Sequence, residues 1–435
     1  MIDLVRLRRE PDVVKAALAR RGVPSVTMDA IIAMDVEHRE LLQEAERLRA
    51  EVKFLSRLVG DARRDKDDDT AAALTEKSRI LGADERRETE ATERVGQRLR
   101  DELLMIPNLP SPEAPDGGDE NDNVELRRWW VGLDQGLEFP SYAEHQRLPH
   151  WDIGNELGIL DMESGAKLAG SMFALFRGAG ARLVRALTSF SLDHHIPEYE
   201  EIHPPTFALT ETMMSTGHLP KSADDMYAVE RDGLWAIPTG EVPLTSMHRG
   251  EILDEARLPI RMTAETTCFR REAGAAGRET RGLLRVHEFD KVELFAYCTP
   301  AQTDAVFADI LARAEQLLQE LGLTYRVLDL CAGDLGTSSA RTFDLEVYSP
   351  GVDRWLEVSS VSKFHDFQAR RANVRYRSGD GTTAFVHTVN GSALPVARTW
   401  AALVETYRQA DGSVLLPDVL ASYMGGQSRI SARPS

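Results

Sequence analysis

The sequence predicts an α+β fold, in which an N-terminal antiparallel helical hairpin precedes a domain of mixed helices and strands. Three observations indicate this fold. Apolar residues follow a heptad pattern in residues 34–59, prolines and glycines concentrate in residues 106–123, and strand-forming residues recur after that segment. The expected parts are, in order, a helical arm (1–110), a linker (111–130), a main domain (131–425) and a frayed tail (426–435).

The helices of the arm are predicted from the spacing of their side chains. Between residues 34 and 59 the core positions alternate at intervals of four and three residues, and His38 fills one of them. The apolar core positions are Met34, Leu41, Ala45, Leu48, Val52, Leu55 and Val59. Gly60 and the charged run 61–69 interrupt the pattern, and a more polar helical stretch follows from about residue 71 to residue 105. Two helices joined by one short tip lie antiparallel, so a coiled-coil hairpin is expected.

The heptad pattern by itself leaves the role of the arm open. Such a hairpin is typical of a dimerisation coiled coil or a solvated spacer as well as of an RNA-binding arm. Residues 61–102 contain ten Lys and Arg against thirteen Asp and Glu, so the arm is not a basic patch. A phosphate-binding face would need arginines gathered on one side of the second helix, and the spacing of Arg87, Arg94 and Arg98 allows this.

The composition excludes several classes of protein. The 435 residues carry 52 Lys and Arg against 70 Asp and Glu, a formal net charge of −18, so the bulk charge does not indicate a polyanion partner. With 42% apolar residues the chain can bury a large core. It shows no apolar run of roughly 18 residues and no signal-peptide pattern. Its three scattered cysteines, Cys268, Cys298 and Cys331, fit a reducing compartment, so a cytoplasmic protein is expected.

Residues whose side chains could bind a ligand or take part in a reaction are concentrated in the second half of the chain. The segments TTCFRRE (266–272) and RVHEFDKVELFAYC (285–298) are predicted to form two strands joined by a glycine-rich turn. Alternation would place reactive side chains on one face of each strand, namely Arg270 and Glu272 on the first and Phe289, Lys291 and Glu293 on the second. Such a face is costly to bury without a ligand, although a salt-bridged surface ribbon fits the hairpin equally well.

Two further segments extend this group. WLEVSS (355–360) is predicted to end a strand with a carboxylate and two hydroxyls, which are oxygen ligands that suit Mg²⁺. NGSALPVARTWAALVETY (390–407) is predicted to be a turn followed by an amphipathic helix, with Arg398 near the helix start. The sequence contains no GxxxxGK[ST] loop and no HExxH motif, which excludes the phosphate and zinc chemistry of those motifs.

Taken in order, these segments resemble the seryl-tRNA synthetase family of class II aminoacyl-tRNA synthetases over nearly the whole chain. The resemblance is carried by IPNLP (106–110), IPTGEVPLT (237–245), CFRREAGAAGRETRGLLRVHEFDKVELF (268–295), DLGTSSARTFDLEVY (334–348), EVSSVSKFHDFQARR (357–371) and NGSALPVART (390–399). The predicted helix at 180–195 resembles the family's motif 1, which builds a two-fold dimer. The resemblance implies a class II antiparallel sheet flanked by helices, ATP and Mg²⁺ as cofactors, L-serine and tRNA(Ser) as substrates, and a homodimer without membrane association.

The resemblance also implies roles for particular residues. The implied serine-binding residues are Thr239, Glu241, Arg270, Glu293 and Ser392. The implied ATP-binding residues are Arg270, Arg271, Glu272, Val286, Phe289, Glu357, Val358, Ser359, Ser360 and Arg398, with adenine between Phe289 and Arg398. Glu357 and Ser360 are implied as Mg²⁺ ligands. The implied tRNA contacts are Arg278 and Arg281 in the turn and Arg87, Arg94 and Arg98 in the arm.

The implied function is ATP-dependent activation of L-serine to seryl-adenylate, followed by transfer of the seryl group to the 3′ end of tRNA(Ser). The chain departs from the family pattern at Gly240, Glu288, Lys363, Ala393, Pro395 and Ala397, and none of these changes removes an assigned residue. Three alternatives remain: a specialised copy that supplies seryl-tRNA to a biosynthetic or resistance pathway, a non-catalytic RNA-binding paralogue, and a ligase that loads serine onto a carrier protein. The last would have no need for the arm.

Overall fold

The computed structural model describes residues 1–196, 198–273 and 280–432. The chain folds as two compact units, one formed by Ile2–Ile106 and a larger one that begins at Pro107. Residues 107–110, which we expected in the arm, therefore belong to the larger unit. Within the described residues no helix combines the length and the apolar character that a membrane span requires.

The arm unit is helical throughout. Its helices are α1 (Leu4–Arg9), α2 (Pro11–Ala19), α3 (Ser25–Arg64) and α4 (Asp68–Met105), and α3 packs along α4. Every predicted heptad position from Met34 to Val59 is buried or half-buried, which confirms the coiled-coil hairpin. The tip is shorter than predicted, because Gly60 continues α3 and the chain turns only at residues 65–67. There the carboxylate of Asp67 accepts a hydrogen bond from the amide of Thr70 and caps α4.

The larger unit is built on one main sheet. Its strands are β1 (Val124–Trp129), β2 (Glu200–Glu201), β3 (Phe207–Leu209), β4 (Ala228–Val229), β5 (Leu234–Ala236), β6 (Ile252–Asp254), β7 (Ile260–Phe269), β8 (Glu288–Cys298), β9 (Tyr325–Asp329), β10 (Arg341–Ser349), β11 (Arg354–His365), β12 (Arg375–Arg377), β13 (Thr383–Phe385), β14 (His387–Pro395), β15 (Val414–Leu415) and β16 (Arg429–Ile430). Its helices are α5 (His150–Glu156), α6 (Met162–Ala169), α7 (Ala179–His195), α8 (Thr210–Thr216), α9 (Glu241–Ser246), α10 (Thr303–Glu320), α11 (Phe367–Ala372) and α12 (Val396–Thr406). The main sheet has eight strands in the order β1-β9-β10-β11-β14-β8-β7-β2, antiparallel except for the β2–β7 pair, which confirms the predicted sheet.

The two faces of the sheet have different roles. Helices α7, α10 and α12 cover one face and enclose the main apolar core, to which β8 contributes Val292 and Leu294. On the opposite face α9 and α11 pack over Phe295 and Tyr297 at one end of β8. The rest of that face carries polar side chains, because successive residues of a strand point to opposite sides. The alternation in β8 therefore places an apolar core behind the strand and a polar cavity in front of it.

The segment 111–130 is not a free linker. Its last part is β1, which pairs with β9 at the edge of the main sheet. Before it, the chain passes through turns, bends and one short 3-10 helix (Glu120–Asp122), irregular structure that prolines tolerate. The side-chain amide of Asn108 donates to the carbonyl oxygens of Ser338 and Phe364, and the backbone amide of Ser111 donates to the carbonyl of Ala340. Composition alone did not show these contacts, because their acceptors lie more than two hundred residues away.

Three predicted local structures need correction. Strands β7 and β8 do form the expected antiparallel hairpin, but β7 ends at Phe269, so Arg270 and Glu272 lie beyond the strand rather than on its face. Residues 390–395, predicted as a turn, belong to β14 and enter α12 without a loop. Strand β11 does not end at Ser360 but continues to His365. In each case pairing with a neighbouring strand, which propensity does not encode, decides where the strand ends.

A buried polar network joins α5 to α12. The carboxylate of Glu405, fully buried, accepts hydrogen bonds from the backbone amide and Nδ1 of His150 at 2.9 and 2.8 Å, from the hydroxyl of Ser349 and from the amide of Gly351 at 3.0 Å. Because the amide of Leu283 donates to Nε2 of His150 at 2.9 Å, that nitrogen is the acceptor and Nδ1 carries the proton. The network therefore holds the chain at Leu283, just before β8.

Replacing Glu405 by Leu should lower the free energy of unfolding by about 3–5 kcal/mol, because four buried donors would lose their acceptor. Urea denaturation followed by circular dichroism measures this loss. Glu138→Leu, at an exposed carboxylate, should change stability by less than about 0.5 kcal/mol and serves as the control. Equal effects of the two substitutions would contradict a structural role for the network.

Candidate active site

The polar face of the main sheet forms the floor of a cavity of about 320 Å³. Strand register brings its residues together: Ser392 of β14 lies opposite Glu293 of β8, and Asn390 lies opposite Ser362 of β11. Between them, Gly391 faces the other way, where a Cβ atom would lie 2.4 Å from the side chain of Ile310 on α10. The sequence Asn-Gly-Ser thus alternates between the cavity and a tight helix contact. This space is called the carboxylate cavity below.

Two buried glutamates lie at the carboxylate cavity: Glu241 lines it, and Glu293 is bound by residues that line it. Glu293 is fully buried, and its carboxylate accepts hydrogen bonds from the hydroxyl of Thr239 at 3.0 Å and from the side-chain amide of Asn390 at 2.9 Å. The ammonium of Lys291 lies 2.5 Å from the same carboxylate and donates to the Thr239 hydroxyl at 2.7 Å. Because a buried charge is tolerated only when it is paired and hydrogen-bonded, these donors keep Glu293 in place.

The second glutamate is held differently. Glu241, at the start of α9, is buried and accepts a hydrogen bond from the side-chain amide of Gln368 at 2.6 Å. Burial, followed by repulsion from Glu293, raises the pKa of Glu241 to about 7. A cation placed between the two carboxylates would favour the ionised form of both, so the pair is suited to a small cationic ligand.

A second space of about 140 Å³, called the arginine cavity below, adjoins the first. Its lining includes Arg270, Glu272, Val286, Phe289 and Arg398. The guanidinium of Arg270 lies 5.3 Å from the ring centroid of Phe289, a cation–π contact. Arg270, Lys291, Glu357 and Ser392 line both cavities, so the two spaces meet at a cationic and hydrogen-bonding junction.

Contacts within the protein hold the other side of the arginine cavity. Arg398, near the start of α12, donates to the carbonyl oxygen of Leu284 at 3.1 Å and to that of Glu357 at 2.8 Å. Its guanidinium also lies 3.6 Å from the Glu357 carboxylate. Glu272 has a positive φ of 51° and forms an ion pair with Arg285 at 2.5 Å. The arginine cavity therefore combines a flat aromatic ring with several guanidinium groups, a set that suits a nucleotide.

The structure gathers most, but not all, of the predicted nucleotide residues. Glu357 and Ser360 line the carboxylate cavity. The side chains of Val358 and Ser359 do not line either cavity: Val358 lies in the apolar core, and the Ser359 hydroxyl donates to the carbonyl of Ser392 at 2.5 Å. Arg271 is exposed and donates to the carbonyl of Asp224 at 3.3 Å. A β-bulge explains the first two: the register of β10 and β11 skips Val358, so Glu357 and Ser360 share a face although they are three positions apart.

The predicted tRNA-contact residues fall into three groups. Arg278 lies outside the described residues. Arg281 is exposed and its guanidinium lies 4.8 Å from the ring centroid of Trp151. Arg87, Arg94 and Arg98 are exposed on α4, where Arg87 pairs with Asp84 at 2.5 Å. Arg281 belongs to the larger unit, whereas Arg87, Arg94 and Arg98 belong to the arm unit.

An acidic group lies beside the junction of the cavities. Asp344 on β10 lies opposite Ser360 in the sheet register, and burial, followed by the charge of Glu357, raises the pKa of Asp344. Among the described residues, Oδ1 of Asp344 is buried without a hydrogen-bond partner. An uncompensated buried oxygen next to Glu357 and Ser360 is compatible with a hard divalent cation. The described residues contain no cluster of three or more His, Cys, Asp or Glu in metal-binding geometry.

Sequence reasoning missed several residues of the carboxylate cavity. It did not assign a role to Lys291, although alternation on β8 placed it between Phe289 and Glu293. Asn390 and Gln368 were missed because only the fold brings them to Glu293 and Glu241. His218 also lines this cavity, and burial, followed by the charges of Arg270 and Lys291, lowers its pKa to about 3, so it is neutral.

Two departures from the family pattern lie outside the cavities. The ammonium of Lys363 is buried and donates to the carboxylate of Asp304 on α10 at 2.7 Å, with the ring of Phe307 beneath it. Glu288 is exposed at the start of β8 and lines neither the carboxylate nor the arginine cavity. Lys363 thus contacts neither cavity, whereas Glu288 lines a third space of about 180 Å³ that borders the arginine cavity at Val286 and Phe289.

Comparison with known proteins agrees with this geometry. The family model for the class II tRNA synthetase core domain (G, H, P, S and T) matches residues 227–407, and that for the seryl-tRNA synthetase N-terminal domain matches residues 1–110. The main sheet and the paired cavities are thus those of a class II aminoacyl-tRNA synthetase.

Comparison with individual relatives identifies the family within this class. Serine–tRNA ligases of Pelotomaculum thermopropionicum and Chloroflexus aurantiacus are 45% and 44% identical to this chain, over 99% of it and the whole of each relative. The crystal structure of Pyrococcus horikoshii seryl-tRNA synthetase with ATP superposes with a TM-score of 0.90 at 34% identity over all of both chains. That of the Naegleria fowleri cytoplasmic enzyme with AMP gives 0.84 at 27% identity, covering 98% of this chain and 96% of that one. The chain belongs to the seryl-tRNA synthetase family.

Replacing Lys291 by Met should lower the free energy of unfolding by about 3–5 kcal/mol, because Glu293 would remain buried without its cation. The Lys291→Met/Glu293→Gln double variant should recover part of this loss, since the unpaired carboxylate is then also removed. Urea denaturation of the ligand-free proteins measures both values. Losses that simply add would show that the two side chains do not depend on each other.

Proposed function

We propose that this enzyme activates L-serine with ATP and transfers the seryl group to the 3′ end of tRNA(Ser). One observation carries the proposal: Arg270 lines both the carboxylate cavity and the arginine cavity. An amino acid in the first cavity and a nucleotide in the second would therefore meet at one guanidinium. The ATP and AMP complexes of the related enzymes support a nucleotide ligand.

The carboxylate cavity would select serine. Thr239, Glu241 and Glu293 offer oxygen acceptors to the ammonium and hydroxyl groups of the substrate, and Ser392 lies opposite Glu293. Alanine lacks the hydroxyl and would leave one acceptor position of a buried carboxylate unfilled, at a cost of about 1–3 kcal/mol. Discrimination would thus arise from the penalty for an unpaired acceptor, which a simple size filter does not impose.

Activation requires two anions to meet. The serine carboxylate attacks the α-phosphorus of ATP, an O–P bond forms, and the bond to the β-phosphate oxygen breaks to release pyrophosphate. A carboxylate is already a nucleophile, so the protein needs to supply position and positive charge rather than a base. Arg270 would bind the carboxylate and the α-phosphate, Phe289 would stack on the adenine, and Arg398 would approach the terminal phosphate.

We propose Glu357 and Ser360 as ligands of Mg²⁺, with Asp344 beside them. The support is the buried Oδ1 of Asp344 and the set of hard oxygen donors. When bound, Mg²⁺ would neutralise charge on the phosphates. Arg398 would act beside it, because its contact with the Glu357 carboxylate ties the guanidinium to the same part of the cavity.

The second step would consume seryl-adenylate. A ribose hydroxyl of the terminal tRNA nucleotide attacks the seryl carbonyl, an ester bond forms, and AMP leaves. We propose Arg281 and Arg278 as contacts for the acceptor end, and Arg87, Arg94 and Arg98 as phosphate contacts of the arm. We further propose a cytoplasmic homodimer built around α7, in accord with the resemblance of this helix to motif 1.

Serine should support rapid exchange of labelled pyrophosphate into ATP, whereas alanine and threonine should support about 5- to 150-fold less, because alanine leaves an acceptor position of the cavity unfilled and threonine adds a methyl group that the cavity must accommodate. The measurement is the exchange rate across a panel of amino acids. Absence of serine-dependent exchange in folded protein would overturn the proposed function.

Replacing Arg94 and Arg98 of the arm by Gln should raise KM for tRNA about tenfold or more and leave serine-dependent pyrophosphate exchange unchanged, because only the second substrate would meet the arm. Steady-state aminoacylation and exchange assays measure the two steps separately. Arg47→Gln, at an exposed arginine of α3 that pairs with Glu44 and Glu51, is the matched control. Normal charging of tRNA by the double variant would show that these arginines are not phosphate contacts of the arm.

A further inference from the structure

A buried glutamine supports the carboxylate cavity from behind. Gln368 lies on α11, is fully buried, and does not line the carboxylate cavity or the arginine cavity. Its side-chain nitrogen donates to Oε1 of Glu241 at 2.6 Å and lies 3.5 Å from the carbonyl oxygen of Thr216 at the end of α8. Its side-chain oxygen accepts a hydrogen bond from the hydroxyl of Thr388 on β14 at 2.7 Å. One amide thus connects four separate elements.

The surroundings determine which way this amide faces. The Thr388 hydroxyl is a donor to the side-chain oxygen, and the Thr216 carbonyl can only accept, so the nitrogen must face Thr216 and Glu241. An ionised carboxylate can accept hydrogen bonds but cannot donate them, whereas an amide nitrogen can donate but cannot accept. The chain Thr388–Gln368–Glu241 is therefore a fixed donor aimed at one oxygen of Glu241.

We propose that Gln368 is a positioning residue for serine activation: it orients the Glu241 carboxylate and keeps it in the acceptor form that binds the substrate ammonium. This inference rests on the proposed function. The argument has two parts, one geometric and one electrostatic. Geometrically, the bond from Gln368 occupies Oε1, which leaves the other oxygen of Glu241 for a ligand in the cavity that the residue lines.

The electrostatic part concerns the charges around Glu241. Burial and the neighbouring Glu293 raise its pKa, whereas the Gln368 hydrogen bond and the charges of Lys291 and Arg270 lower it, and the balance is a pKa of about 7. His218, which also lines this cavity, is neutral because its pKa is about 3. Without the amide donor the pKa of Glu241 would rise further. Glu241 would then be protonated at neutral pH and would bind an ammonium group poorly.

A purely structural role for Gln368 gives a different expectation. If the amide only tied α8, α9 and α11 together, its loss would reduce stability and the amount of active protein. Affinities for serine and ATP would then change together or remain as they were. A positioning role acts on one ligand and depends on pH, since it operates through the protonation state of Glu241.

The test compares Gln368→Met with the wild-type enzyme in pyrophosphate exchange. We expect KM for serine to rise about tenfold or more at pH 7 and KM for ATP to stay within about twofold, because a hydrogen bond to a charged group is lost on the serine side only. The pH at which kcat/KM for serine reaches half its maximum should move upward, because Glu241 must lose its proton to bind the ammonium. Gln368→Glu should shift this pH in the same direction, because it replaces the donor by a second acidic group.

Gln316→Met provides the matched control. Gln316 on α10 is exposed and donates to the carboxylate of Glu320 at 3.2 Å, a contact of the same type away from the cavities. Its replacement should leave both KM values and the pH profile unchanged. If Gln368→Met does not fold, Thr388→Val tests the same chain: it should raise KM for serine severalfold, and Thr388→Ser should restore it.

The outcomes separate this inference from the proposed function. Wild-type enzyme that shows no serine-dependent exchange would overturn the function itself. Wild-type enzyme that is active, together with a folded Gln368→Met variant of unchanged KM for serine and unchanged pH profile, would overturn only the positioning role. Parallel increases of KM for serine and ATP would also overturn it, in favour of a structural role.

Discussion

The carboxylate cavity depends on the compensation of buried negative charge. Two glutamates, Glu241 and Glu293, are themselves buried, and an unpaired carboxylate at either position would be strongly unfavourable. Lys291, Thr239 and Asn390 compensate Glu293, and Gln368 supplies a donor to Glu241. The donors of Glu293 come from β8, from β14 and from the segment that precedes α9. The charge is therefore tolerated only when these three parts of the chain are assembled. The cavity and the order of the sheet therefore stabilise each other.

The arrangement leaves the two glutamates unequal. Glu293 has an ammonium group at 2.5 Å, whereas Glu241 has only a neutral amide and a raised pKa. A ligand that brings its own positive charge gains most beside the less compensated carboxylate. In the absence of substrate, the charge of Glu293 is thus already compensated by the protein. The charge of Glu241 would be compensated by the substrate. This asymmetry gives a physical reason why a family that binds an amino acid would need both residues.

The local pattern of the sequence was sufficient for some elements. Every heptad position predicted from Met34 to Val59 is buried or half-buried in α3, because a long helix has a single period and this face packs along one partner helix. Alternation on β8 correctly grouped Phe289, Lys291 and Glu293. It was less successful at strand ends, where Arg270 and Glu272 proved to lie beyond β7 and residues 390–395 proved to be strand. Strand ends depend on the neighbouring strand, which lies far away along the chain.

What the sequence alone determined about this protein is the helical arm, the antiparallel hairpin, the family resemblance and some of the polar residues of the two cavities. These follow from periodicity and from motifs that are continuous along the chain. Only the tertiary structure decided that Asn390 compensates Glu293, that Gln368 supports Glu241, and that residues 124–129 form an edge strand. The reason is physical: a hydrogen bond or an ion pair between residues tens to hundreds of positions apart has no local signature, because it arises only when the strands are in register.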